Sequence, residues 1–90
     1  MIKTFANKDT EVLLSGARVR RFVNIEEAVR RKLEYLDAAV VLEDLRAPPG
    51  NRLEALKGYR AAQHSIRVND QFRLCFRWKD SDAYDVEICD

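Results

Sequence analysis

The 90-residue chain has only two cysteines and one histidine, and no Cys-x-x-Cys pair. That excludes a zinc knuckle and a disulfide framework as its organising device, and leaves Cys75 and Cys89 as free thiols packed like small hydrophobes. Three glycines and two prolines exclude a collagenous, low-complexity or linker-rich polymer. The longest unbroken apolar run, Ala38–Leu42, is far short of the roughly 20 residues that a bilayer-crossing helix needs. No basic and apolar leader opens the sequence, where Ile2-Lys3-Thr4-Phe5 alternates like a strand, so a cytoplasmic location with no membrane contact is expected. A single domain over residues 1–90 is expected, large enough to bury roughly 65% of its unfolded surface without staples.

What the chain has is charge, 34% of residues, with a formal net of only +1. The small net conceals a polarity. Residues 1–50 carry +1; residues 51–79 carry seven bases against Glu54 and Asp70, a balance of +5; residues 80–90 carry five acids and no base. Eleven of the sixteen bases are arginine, the side chain suited to planar, bidentate contact with phosphate or carboxylate. The alternative for such a segment is that arginines on one strand pair with acids on the next, and Arg77 is expected to do so.

Periodicity divides the chain into helices followed by strands. Lys8–Ser15 carries a weak helical pattern stopped by Gly16. Asn24, with Glu27 three residues on, resembles a capping box opening the strongest helix, whose apolar stripe runs Ile25, Ala28, Val29, Leu33, Leu36, Val40. Arg30, Arg31 and Lys32 fall on its solvated side, and Asp37 is placed to cap a second segment over Ala38–Arg46. Pro48-Pro49-Gly50 ends any helix. Leu53–Leu56, Ser65–Val68, Phe72–Trp78 and Tyr84–Cys89 then read as strands of an antiparallel meander. The expected fold is α+β, a small, mostly antiparallel sheet with two or three helices packed on one face.

Period-two alternation gives that sheet two faces. Phe72, Leu74, Phe76 and Trp78 share the apolar face with Ile66, Val68, His64, Tyr84, Val86 and Ile88. Arg67, Arg73, Cys75, Arg77, Asp85, Glu87 and Cys89 fall on the open face. His64 is thereby expected to pack, and Arg67 and Arg73 are the informative members of the open side. One register would set Cys75 opposite Cys89.

The strings Pro-Pro-Gly-Asn-Arg-Leu-Glu-Ala-Leu-Lys-Gly (48–58) and Ser-Ile-Arg-Val-Asn-Asp-Gln-Phe-Arg-Leu-Cys-Phe-Arg-Trp (65–78) closely resemble HigB-type plasmid-maintenance toxins of the RelE/ParE superfamily. Met1–Phe5 and Asp82–Asp90 fit the same family, so the likeness covers essentially the whole chain. The resemblance implies a RelE-like fold and the toxin of a type II toxin–antitoxin module. It implies a ribosome-dependent endoribonuclease that cuts messenger RNA in the decoding site without metal or cofactor and so inhibits translation. The implied partners are the ribosome with its messenger RNA and a HigA-like helix-turn-helix antitoxin, through which alone the toxin would reach operator DNA. In the family's chemistry a 2′-hydroxyl attacks the adjacent phosphate, leaving a 2′,3′-cyclic phosphate and a 5′-hydroxyl. Lys57 and Arg73 match the family's basic site residues and are expected to stabilise the phosphorane's charge. Glu54 stands where relatives typically carry histidine, as the candidate base. Asp90 matches the C-terminal acid, although the Tyr-His that follows it in relatives is not in this sequence. Gln71, Arg67 and Arg60 are expected to hold RNA. The departures at Glu54 and after Asp90 also admit a toxin-like protein that acts only by binding antitoxin or ribosome. A gyrase-directed relative of similar fold is a further alternative.

Overall fold

The structure, a computed structural model, describes residues 1–90. Two helices, α1 (Lys8–Leu14) and α2 (Glu26–Ala38), precede four strands: β1 (Glu54–Ala55), β2 (Gln63–Arg67), β3 (Arg73–Lys79) and β4 (Asp82–Cys89). The sheet is antiparallel in the order β1-β2-β3-β4. Both helices lie on one face, where Leu13, Val29, Leu33, Leu36, Ile66, Leu74, Phe76 and Val86 are fully buried. The expected α+β architecture is the one observed. No helix is long and apolar enough to cross a membrane.

Local chemistry sets each boundary. The Asn7 side chain accepts from the Thr10 backbone N–H and hydroxyl, both at 2.9 Å, and starts α1. Gly16, at φ +93, ends it with paired bonds from Gly16 N to Leu13 O and Ala17 N to Val12 O. Asn24 caps nothing: residues 20–25 wind as a 3-10 turn that buries Phe22, and α2 opens at Glu26 with no side-chain cap. Its first-turn acids face the helix's positive end instead, with Glu26 held by Arg18 and Arg30. α2 stops at Ala38, leaving Val40 63% exposed outside the apolar stripe. Asp37 caps no second helix. Its carboxylate accepts from Ile2 N at 2.8 Å, while Asp44 takes the Val40 and Val41 N–H groups and starts a 3-10 turn over Leu42–Arg46. Lys32, expected on the solvated side of α2, is only 8% exposed.

The first residues run beside β4, bridging in parallel at Ile2–Ala83 and Phe5–Val86. Lys3 N donates to Ala83 O at 2.8 Å and Ala6 N to Val86 O at 2.9 Å, so the edge of β4 is covered. Between those two contacts Asp85, at φ +53, inserts a bulge. The bulge shifts parity by one residue. Ala83 therefore opposes Trp78 and is buried, while Tyr84 opposes Arg77 on the open face rather than joining the core. In the same register Cys75 faces Glu87 and Cys89 faces Arg73, so the two cysteines are diagonal neighbours and free.

Candidate active site

On the open face the register makes two adjacent rows. Glu54, Ser65, Cys75 and Glu87 lie across the four strands, and Arg67, Arg73 and Cys89 lie beside them. Arg67 and Arg73 are directly opposed like charges, an arrangement that costs stability unless each is neutralised. Each is. Arg67 bonds Asp70 in the β2–β3 turn. Arg73 Nε donates to the buried Ser65 Oγ at 2.8 Å, and its Nη2 lies 2.9 Å from Glu54 Oε1, off the angle of a hydrogen bond. The guanidinium is thus fixed from two sides by groups on β1 and β2.

A hollow of about 330 Å³ opens over this pair, lined by Arg52, Glu54, Arg67, Asn69, Asp70, Gln71 and Arg73, with no apolar side chain in its walls. Three arginines against two carboxylates leave it one positive charge in surplus. The turn is built to present its polar groups: Asn69 Oδ1 accepts from the backbone N–H of Gln71 and of Phe72, at 2.9 and 2.7 Å. Gln71 Nε2 in turn donates to Asp90 Oδ2 at 3.3 Å, which ties the chain's last carboxylate to the cavity wall.

The structure therefore brings together Glu54, Arg67, Gln71 and Arg73, with Asp90 one hydrogen bond away. It does not bring Lys57 into that wall. Lys57 is exposed just past the end of β1, three residues from Glu54, where the extended chain (φ −124, ψ 175) enters a 3-10 turn. Arg60 is also outside the cavity. Its Nη1 donates to Gln63 at 3.0 Å and to Glu87 at 2.9 Å, and the Glu87 carboxylate holds the guanidinium above its ordinary value. Arg77 pairs with Asp85 at 3.2 Å, as the sequence suggested. Between Arg60 and Arg73 sit the two thiols. Cys89 Sγ donates to Glu87 O at 3.9 Å, and the closeness of the two thiols lowers Cys75 and, with burial, pushes Cys89 above the ordinary range of a thiol. His64 is half-buried on the core face, stacked at 25° on Phe76 with its centroid 6.1 Å away, and takes no part in the cavity.

Three wall residues are not among the sequence candidates: Asn69 and Asp70, which read only as a turn, and Arg52. Arg52 precedes the first strand, so alternation assigns it no face. Only its presence in the 48–58 string and its surplus charge were visible. A larger hollow of about 520 Å³, lined by Asn24, Glu26, Glu27, Arg31 and others, touches this site through Asn69. It gathers no cluster of arginines, whereas the smaller one does. No three His, Cys, Asp or Glu side chains converge anywhere in the molecule.

As a chemical device, the cavity offers fixed cations, a carboxylate beside one of them, and amide donors at its rim. That set suits a phosphodiester: the cations take the charge, and the carboxylate can accept a proton.

Residues 4–89 match the family of the HigB RelE-like toxin of type II toxin–antitoxin systems. Toxin HigB-1 of Vibrio cholerae serotype O1 is 57% identical over 90 residues, covering 98% of this chain and 95% of that protein. A Haemophilus influenzae protein without an assigned function is 37% identical over 65 residues, 72% of this chain and 64% of its own length. Among solved structures, a chain of the YoeB–YefM complex from Staphylococcus aureus superposes with a TM-score of 0.55 at 18% identity. The match covers 97% of this chain and 93% of that one, a likeness of fold.

Proposed function

The chain belongs to the HigB-like family of RelE-like toxins of type II toxin–antitoxin systems, and from that premise we propose that its arginine-lined cavity binds messenger RNA in the ribosomal decoding site and cuts it. The observation that carries this reading is the Arg73 guanidinium fixed between Ser65 Oγ and Glu54 Oε1 at 2.8 and 2.9 Å. Cation and carboxylate face the same small polar hollow. The RNA 2′-oxygen attacks the adjacent phosphorus and gives its proton to Glu54. Arg73, with Arg67 behind it, stabilises the charge gathering on the phosphorane. The bond from phosphorus to the 5′-oxygen breaks, that oxygen takes a proton from water, and a 2′,3′-cyclic phosphate remains. Asp90 steadies Gln71 against the substrate, and Lys57, exposed and without an acid partner, contacts the strand where it leaves the cavity.

Inhibition of translation follows from loss of message. The family's definition as one half of a toxin–antitoxin system supports an antitoxin partner, and the Staphylococcus aureus neighbour comes from a complex with YefM. A HigA-like helix-turn-helix protein is the partner proposed here, and the cytoplasm, where ribosomes and message are, is the proposed location.

The test is RNA cleavage coupled to translation, run with the chain as given, with Tyr-His added after Asp90, and with Arg73→Ala. Ribosome-dependent products ending in a 2′,3′-cyclic phosphate, lost in Arg73→Ala, are expected. Intact message on stalled ribosomes with both active-site forms would replace cleavage by occupancy. Cleavage undiminished in Arg73→Ala would remove the assigned site.

A further inference from the structure

Two of the cavity's arginines are already committed, Arg67 to Asp70 and Arg73 to Glu54. Arg52 is not. It is exposed, lines the same hollow, and has no carboxylate within ion-pair distance, so it supplies the cavity's surplus charge. Its backbone is in the left-handed region at φ +46, a conformation that an ordinary side chain rarely adopts. Something must hold it there.

The holding group is its neighbour. Asn51 is fully buried, and its amide nitrogen donates to the carbonyls of Leu45 and Ala47, both at 3.2 Å. Its Oδ1 accepts from Lys32 Nζ at 2.5 Å. Lys32 reaches this point from the middle of α2, with its ammonium 5.5 Å from the centre of the Tyr35 ring. Three side-chain hydrogen bonds thus fix the residue before Arg52, and the Arg52 N–H bonds Pro49 O at 3.3 Å.

Lys32 is costly as a purely structural choice. Its charge is buried against a neutral amide, with Arg31 and Arg67 as the nearby charges that act on it and no acid paired to it. Buried ammonium groups are rarely tolerated without a counter-charge. Arg67, one of the charges that act on Lys32, faces the same cavity as Arg52.

We propose that Arg52 binds a backbone phosphate of the RNA strand and that the buried Lys32–Asn51 pair is the positioning device that aims it. This rests on the RNA reading above and adds a residue and a support to it. A planar guanidinium with no prior partner is suited to a bidentate grip on a phosphodiester. Because Asn51 is anchored to three groups, the grip is preorganised rather than assembled on binding.

The experiment measures equilibrium binding to ribosomes programmed with a message carrying 2′-O-methyl riboses at the decoded codon, which binds but cannot be cut. Arg52→Ala is expected to weaken binding roughly tenfold, as for loss of one charged hydrogen-bonded contact. Lys32→Met is expected to weaken it by about the same factor. The double variant should be no more than about twofold weaker than either single, since both remove one contact. Lys32→Gln, which keeps a donor for Asn51, should bind within about threefold of the unaltered chain, with melting temperatures confirming that each protein is folded. Undiminished binding by Arg52→Ala, or by Lys32→Met when folded, would overturn the proposal, and so would losses that multiply in the double variant. A tenfold loss in folded Lys32→Gln would overturn the positioning role. Cleavage of an unmodified message is scored separately: Arg52-dependent binding without cutting leaves this inference standing and removes the nuclease.

Discussion

Replacing Arg73 by methionine keeps most of the aliphatic stem and removes the fork. Two interactions are lost. The bond from Nε to the buried Ser65 hydroxyl, at 2.8 Å, has a charged donor and contributes about 1.5–3 kcal/mol. The approach to Glu54 joins side chains 32% and 52% exposed, and solvent screening reduces it to at most about 1 kcal/mol. The methionine recovers part of the stem's packing, so a net loss of about 2 kcal/mol is expected. For a domain of this size that lowers the melting temperature by about 8–16 °C, read by far-ultraviolet circular dichroism. The same variant, assayed on translating ribosomes well below its melting temperature, should cut message about 10²–10³-fold more slowly, as when one fixed donor to a developing anion is removed. A melting temperature within about 3 °C of the unaltered chain would show that the guanidinium is not held as described. A stable variant with full cleavage would refute the chemistry as well.

Three further outcomes follow from ionisable groups elsewhere. Burial first, then Arg31 and Arg67, hold the Lys32 ammonium below its usual value of 10.5. The unfolded chain therefore binds that proton more tightly, and stability relative to Lys32→Met should rise as pH increases through the folded value towards 10.5; a flat difference in melting temperature across that range would contradict it. Asp44 is held below its usual 3.8 by the Val40 and Val41 N–H groups. Its advantage over Asp44→Ala should be complete above pH 3.8 and fade as acid protonates the folded carboxylate, which paired thermal melts would show. Cys75 is 2% exposed, and its closeness, together with burial, pushes the Cys89 thiol strongly upward. At pH 8 both thiols in the folded chain should react with an aromatic disulfide reagent more than about tenfold more slowly than in guanidinium, and rapid release of either would show that the pair is open.

The sequence made some of this legible because local rules governed it. Gly16 stops α1 because it can enter the left-handed region, and the long alternation of β3 could bury only one face, so Arg73 had to lie on the other. Three features followed different rules. Asp85 shifts the parity of β4 with a non-glycine residue at positive φ, and nothing in its composition marks a bulge. Asn24 has the chemistry of a cap, but the burial of Phe22 wound the preceding residues into a 3-10 turn and moved the helix start to Glu26. Lys32 looks solvated beside Arg30 and Arg31, and only the loop carrying Asn51, folded over from nineteen residues away, reveals its burial. In the site, Glu54, Arg67, Gln71 and Arg73 could be gathered from alternation and family strings. Arg52 could not, because its place depends on a left-handed turn and not on a strand.

The opening segment lies along β4, and Ile88 N donates to the Thr10 hydroxyl across 78 positions of sequence. The residues synthesised first thus depend on some of the last for their backbone partners. At roughly 5–20 residues per second, about 4–16 s separate the two during synthesis. For that interval the nascent protein cannot complete its sheet, so the edge of β4 gains its cover only when the last strand has emerged.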